Sequence, residues 1–137
     1  MLEENCISLA KYRMETSMET LNVARECLEN KHSKDSINRA YYASFYAARA
    51  VLALERVDFK RHKDVIAYFN KNYVATGIFD REIGRNLARL KQKREQSDYD
   101  DFFIASKEEA QKQFDNAESI VAAIIEYMRK NNSGTII

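Results

Sequence analysis

RAYYASFYAARAVLAL, residues 39 to 54, is the stretch that decides how this chain folds. Laid on a helix, its alanines, aromatics and aliphatics cover most of the circumference, the pattern of a helix packed against partners on several sides. No turn residue interrupts it. The whole chain has no proline and only three glycines, Gly77, Gly84 and Gly134, too little punctuation for a many-stranded fold with tight turns. An all-α, up-and-down bundle follows, with residues 34 to 56 as its central helix and Ser33 as the expected N-cap.

Outward from that helix the periodicity continues. Residues 4 to 30 place Ile7, Met14, Leu21 and Leu28 at intervals of seven, with Ala10, Met18 and Ala24 in the neighbouring turns, one apolar stripe on a long amphipathic helix. After a break at Val57 to Lys60, a third helix over about 61 to 74 buries Val65, Ile66, Phe69 and Tyr73 and ends at Thr76 and Gly77. Asp80 caps a fourth helix running to about residue 96, with Ile83, Leu87 and Leu90 inward. The acidic SDYDDF, residues 97 to 102, reads as a loop. Ser106 and Glu109 form a capping-box pattern for a fifth helix, whose stripe is Phe114, Ala117, Ile120, Val121, Ile124, Ile125 and Met128. The expectation is one domain over residues 1 to 137, with a core of about 4 to 130 and a frayed tail over 131 to 137. A single domain suits 137 residues.

Charge and cysteine usage narrow the function classes. Lysine plus arginine number 22 against 21 acids, so no global field gathers nucleic acid or an anionic membrane, and any such contact needs a local patch. Cys6 and Cys27 lie on one predicted helix, about 30 Å apart at helical rise, too far to bridge. Unpaired cysteines, the lack of a basic-then-apolar leader and the lack of an 18-residue apolar run together predict a cytoplasmic protein with no membrane contact.

Three groups of residues carry possible chemistry. Arg81, Arg85, Arg89 and Lys93 recur at every fourth position; with Lys91 and Arg94 they set six bases against one acid, Glu82, over residues 81 to 94. Each cation of such a row can meet a separate phosphate and release its counterion; the competing reading is a solvated helix face or one that meets an acidic partner. Arg94 itself falls in the middle of the apolar side of its helix, so it must be paired or face a cleft, and Asp98, Asp100 and Asp101 stand nearby. On the central helix Arg39, Tyr42, Tyr46 and Arg49 share the less apolar side, able to stack a base and hold its phosphate or, the favoured reading, to build a dimer interface.

His32 and His62 complete the inventory, the latter inside the basic KRHK of residues 60 to 63. Two separated histidines without HExxH or a cysteine-histidine cluster make no metal site, and the sequence lacks GxGxxG, GxxxxGKS and GxSxG, so neither metal nor cofactor is expected.

Taken together, NRAYYASFYAARAVL (38 to 52), RHKDVIAYFNKNYV (61 to 74), TGIFDREIG (76 to 84) and KREQSDYDDF (93 to 102) resemble the HEPN superfamily in order and spacing, over roughly residues 33 to 125. The resemblance is narrowest to small, stand-alone prokaryotic HEPN proteins long classed as an uncharacterised family. It implies a helical bundle, usually a homodimer, often paired with a minimal nucleotidyltransferase in a toxin and antitoxin arrangement.

Many members of that superfamily are metal-independent ribonucleases with Arg, four to six residues, then His near the end of a late helix. The matching arginine here is Arg94, but Tyr99 stands at the histidine place, and a tyrosine titrates near 10, far from the range useful for moving a ribose proton. Arg94, Asp98 and Tyr99 therefore form the counterpart of the motif region, and His62 is a further candidate that could reach the cleft from another helix. In some related toxins a tyrosine two residues past the motif histidine receives a nucleotide; that place is Asp101 here, with Tyr99 close by. The resemblance thus implies a nucleotide- or RNA-binding interaction module, with a divergent RNA endonuclease using Arg94 with His62 or Tyr99 as the alternative.

Overall fold

Five helices, α1 (Leu2–Glu29), α2 (Ser33–Leu54), α3 (His62–Phe69), α4 (Arg81–Tyr99) and α5 (Lys107–Asn132), make up most of the computed structural model, which describes residues 2–132. No strand occurs among the described residues. The all-α bundle expected from the sequence is the observed fold.

Helix α2 is the axis of the molecule and packs against each of the other four. Between Ser36 and Ala53 only Asn38, Arg39, Tyr42, Tyr46 and Arg49 keep partial exposure. The others are buried, including Ile37, Tyr41, Phe45, Val51 and Leu52. Each large aliphatic enclosed in this way contributes about 1.5–3 kcal/mol relative to an exposed position. The apolar surface of α2 is thus covered within a single chain, and what remains open is a narrow polar-aromatic strip.

Small residues set the closeness of α1 to α2. Ala10 and Ala24 of α1 and Ala40, Ala43 and Ala47 of α2 belong to the same buried core. Ser17 Oγ donates to the Ala43 carbonyl at 2.6 Å and Ser36 Oγ to the Ala24 carbonyl at 2.9 Å. Farther along, Arg13 Nη1 donates to the Arg49 carbonyl at 3.1 Å, so residue numbers rise on one helix as they fall on the other, an antiparallel hairpin. Lys31, at φ 65°, turns the chain between them. Ser17, not Met18, is thus the buried residue of that turn, and Met18 is exposed.

Several boundaries move. Ser33 is the first residue of α2 and not its cap; His32 holds the cap position without a side-chain hydrogen bond. Helix α3 continues as a π-helical turn, Asn70–Val74, which the sequence pattern did not reveal. Gly77 at φ 84° closes that segment with the left-handed geometry glycine takes without strain. Gly84 lets α4 lie against it, since a Cβ there would stand 3.1 Å from Val74 Cγ1.

Asp80 caps α4 as expected, accepting from the Glu82 amide at 3.1 Å. The helix, however, runs through Ser97, Asp98 and Tyr99, so the loop begins at Asp100 and not at residue 97. The reason is visible in the i to i+4 pairs Lys91–Glu95 and Arg94–Asp98, which support a further turn. Ser106 Oγ accepts from the Glu109 amide at 3.0 Å, but Glu109 gives its carboxylate to Lys93 at 2.8 Å instead of closing the capping box. Helix α5 includes Asn131 and Asn132, where a frayed tail was expected; residues 133 to 137 lie outside the described residues.

Candidate functional site

Arg94 sits where α4 crosses the polar-aromatic strip of α2. Its guanidinium carbon lies 5.5 Å from the centroid of the Tyr41 ring, 5.4 Å from that of Tyr42 and 5.8 Å from that of Tyr99. Nη2 donates to Tyr42 Oη at 3.0 Å. Nε lies 3.0 Å from Asp98 Oδ2, an ion-pair distance without hydrogen-bond alignment. The side chain keeps 18% of its exposure, so the charge is sheltered among rings yet reachable along one edge. A guanidinium held among aromatic rings by a hydrogen bond and an ion pair is preset for a planar anion or a base, because its rotamer freedom is already restricted.

The same cluster takes in His62 from the start of α3. Its Nδ1 lies 3.1 Å from Tyr41 Oη, and its ring stacks on Phe45 with centroids 3.9 Å apart. Tyr41 is fully buried, and among the described residues its hydroxyl has no other hydrogen-bond partner. With Tyr41 as donor to Nδ1, the arrangement that satisfies the proton of the buried hydroxyl, the Nε2 edge of the imidazole carries the remaining hydrogen. Burial, then the positive charges of Arg94, Arg49 and Lys91, hold His62 below the usual histidine range. Burial likewise pushes the Tyr41 hydroxyl well above the usual tyrosine range, against the pull of Arg94.

Arg39 extends the cluster along α2. It stacks over Tyr42 at 5.1 Å and donates to Asn38 Oδ1 at 2.7 and 3.1 Å, while Asn38 reaches Asp98 at 3.5 Å. Tyr46 adjoins Tyr42, ring to ring at 5.9 Å. Arg49, at the far end of the strip, is committed elsewhere: its Nη2 donates to both oxygens of Asp58, at 3.0 and 3.2 Å, and Arg13 joins the same carboxylate at 3.1 Å. Burial alone would raise the Asp58 carboxyl, but the hydrogen bonds from Arg49 and Arg13 outweigh it and hold it below the usual range.

The basic row of α4 is less bare than its sequence suggests. Glu82 takes Arg89 at 2.7 Å and Arg85 at 3.2 Å, and Lys93 is paired with Glu109. Arg81 forms no ion pair among the described residues. Arg81, Arg85 and Arg89 are exposed on a face away from Ile83, Leu87 and Leu90, whereas Arg94 turns inward as its angular position requires. Among the described residues no group of histidines, cysteines and acids is arranged to hold a metal ion, and no helix is long and apolar enough to cross a membrane.

Sequence reasoning named His62, Tyr42, Arg94, Asp98 and Tyr99, and the structure brings them into one cluster. It missed Tyr41, which reads as core because its ring is core; only its hydroxyl joins the site. Arg13 and Asp58 were also missed, since a pair so far apart in sequence leaves no periodic signal.

The family model of the HEPN domain matches residues 10–128, a span that includes every helix contributing to this cluster. The chain belongs to the HEPN domain family. A UPF0332 protein of Thermotoga maritima is 30% identical over 116 residues, covering 85% of this chain and 88% of the relative. A UPF0332 protein of Pyrococcus horikoshii is 41% identical over 69 residues, half of this chain and 49% of the relative. A Methanocaldococcus jannaschii protein whose name reads "putative toxin" is 34% identical over 86 residues, 63% of this chain and 64% of the relative. In this HEPN domain the late-helix arginine and an imidazole share the Tyr41 ring as neighbour, but that imidazole comes from α3, and Tyr99 stands on α4 where the resemblance would set a histidine.

Proposed function

We propose that this HEPN protein is the nucleotide- or RNA-binding member of a toxin and antitoxin type pair, with a nucleotidyltransferase as its protein partner. The observation that carries the binding reading is the Arg94 guanidinium, hydrogen-bonded to Tyr42 and set among the rings of Tyr41, Tyr42 and Tyr99 with part of its surface open. Aromatic faces beside a cation stack a base and neutralise its phosphate, and each stacked base is worth about 1–3 kcal/mol. The row of Arg81, Arg85 and Arg89 adds a separate exposed cationic face on the outer side of α4, with Lys93 half-buried at its end. The toxin wording belongs to relatives and supports the pairing; so does the exposed run Tyr99, Phe102 and Ile104, at 74%, 94% and 89% exposure, next to the cluster. Arg39, Tyr42, Tyr46 and Arg49 suit the contact of a homodimer, in which tyrosine and arginine are enriched.

A second reading has one observation in its favour: Tyr41 joins His62 to Arg94. As an RNA endonuclease, His62 would take the proton of a ribose 2′-hydroxyl and the 2′ oxygen would attack phosphorus. The bond to the 5′ oxygen would break as Arg94 neutralised the crowded phosphate, leaving a 2′,3′-cyclic phosphate while the 5′ oxygen took a proton from solvent water. That chemistry needs the tautomer with a bare Nε2, whereas Tyr41 as donor favours the tautomer that carries hydrogen there, so the binding reading stands first.

One assay separates them. Purified protein is incubated with RNA and a chelator at several pH values, beside Arg94→Ala. Binding that weakens in the variant without any cleavage supports the module; cleavage that disappears in the variant supports the endonuclease; binding equal in both proteins contradicts the reading of Arg94.

A further inference from the structure

Beside His62, a cleft of about 310 Å³ opens between α2 and the 55–61 connection, lined by Phe45, Arg49, Asp58, Phe59, Lys60 and His62. We propose that this cleft is a phosphate subsite, which takes a phosphate group of a nucleotide or of a nucleic-acid chain on Arg49, Lys60 and the Nε2–H of His62. It deepens the nucleotide-binding reading and rests on it for the identity of the ligand, but it uses residues that do not touch Arg94.

Four features support the assignment. The charge is right: Arg13 and Arg49 pair with Asp58, and Lys60 adds a third cation to the cleft wall. The geometry is fixed in advance, because Arg13 anchors both the Arg49 carbonyl and Asp58, while Asp58 holds two contacts to Arg49 Nη2. Donors remain: Arg49 makes its described side-chain hydrogen bonds through Nη2 alone, and its Nη1 is left for an anion. The imidazole is oriented, since Tyr41 engages Nδ1 and Phe45 stacks the ring, so the nitrogen left over is the one that can donate.

Asp58 gives the site its specificity. Its carboxylate shares the Arg49 fork with the incoming group, so a phosphate, carrying more charge and more acceptor oxygens than a carboxylate, competes where a weak anion does not. Phe45 and Phe59 supply apolar walls for the sugar or base attached to that phosphate.

Isotope-labelled protein titrated separately with adenosine 5′-monophosphate, adenosine and a short oligoadenylate tests the proposal. The expected result is movement of the amide and imidazole resonances of residues 58 to 62 with the two phosphate-bearing ligands and not with adenosine. Lys60→Gln, an exposed change that leaves the core intact, is expected to weaken that response at least fivefold, and Arg49→Gln more. Saturation by either phosphate ligand supports the site, and the one that saturates lower shows whether a free nucleotide or a chain phosphate is preferred. Resonances that stay still with both, that move equally with adenosine, or that are indifferent to Lys60→Gln overturn it. The Arg94 side-chain resonance, read in the same spectra, reports separately on the first site.

Discussion

His62 and Arg94 meet on one tyrosine: Tyr41 Oη is 3.1 Å from His62 Nδ1, and the Arg94 guanidinium lies 5.5 Å from the centroid of the same ring. The tyrosine is buried, so its single hydroxyl decides which imidazole nitrogen carries hydrogen, and a residue of the core thereby sets the chemistry of the surface.

Tyr41→Phe removes that hydroxyl while keeping the ring under Arg94. The expected outcome is a loss of about 1 kcal/mol of stability and a change in the ¹⁵N shifts of His62 toward a mixture of tautomers. Chemical denaturation and imidazole NMR check the two effects independently.

His62 also predicts a pH dependence. Its folded-state pKa lies below the ordinary value of 6.5, so over the interval between the two the unfolded chain binds more protons and stability rises with pH. The contribution is complete above about pH 6.5 and is lost as the pH falls toward the folded-state value. Urea midpoints measured between about pH 7 and 5.5 should fall on acidification, and His62→Gln should flatten that part of the curve.

Glu82 restrains the basic row by holding Arg85 and Arg89. If that row follows a phosphate backbone, Glu82→Gln frees both cations, tightens RNA binding several-fold and steepens its salt dependence, by about 0.7 in log–log slope for each single-strand phosphate newly met. Fluorescence anisotropy across a salt series is the check, and an unchanged slope assigns the row to solvent.

Asp80 fixes the start of the helix that presents Arg94. Asp80→Ala should cost about 0.5–2 kcal/mol, seen as a lower melting temperature, with the spectrum of the Arg94 cluster little altered because the cap lies four turns away along α4.

The greasy circumference of residues 39 to 54 made the central helix legible, and the apolar side marked by Ile83, Leu87 and Leu90 turned Arg94 inward by angle alone. What the sequence concealed has physical causes. The acidic run after Gln96 looks like a loop until its Asp98 is paired with Arg94 one turn back, which extends the helix. The π turn after Phe69 leaves the apolar positions in place and so leaves no trace in their period. The bare appearance of the basic row came from counting charges along one helix, while Lys93 finds its acid on α5. Tyr41 was hidden because burial and function share one side chain.

The most direct measurement follows the Arg94 Nε–Hε resonance while a short single-stranded RNA is added. If the guanidinium is the nucleotide contact, that signal shifts and saturates together with the ring resonances of Tyr42 and Tyr99 as the phosphate competes with Asp98. If RNA binds while those signals stay in place, or if nothing binds, Arg94 is a strut between α4 and α2 and the account fails.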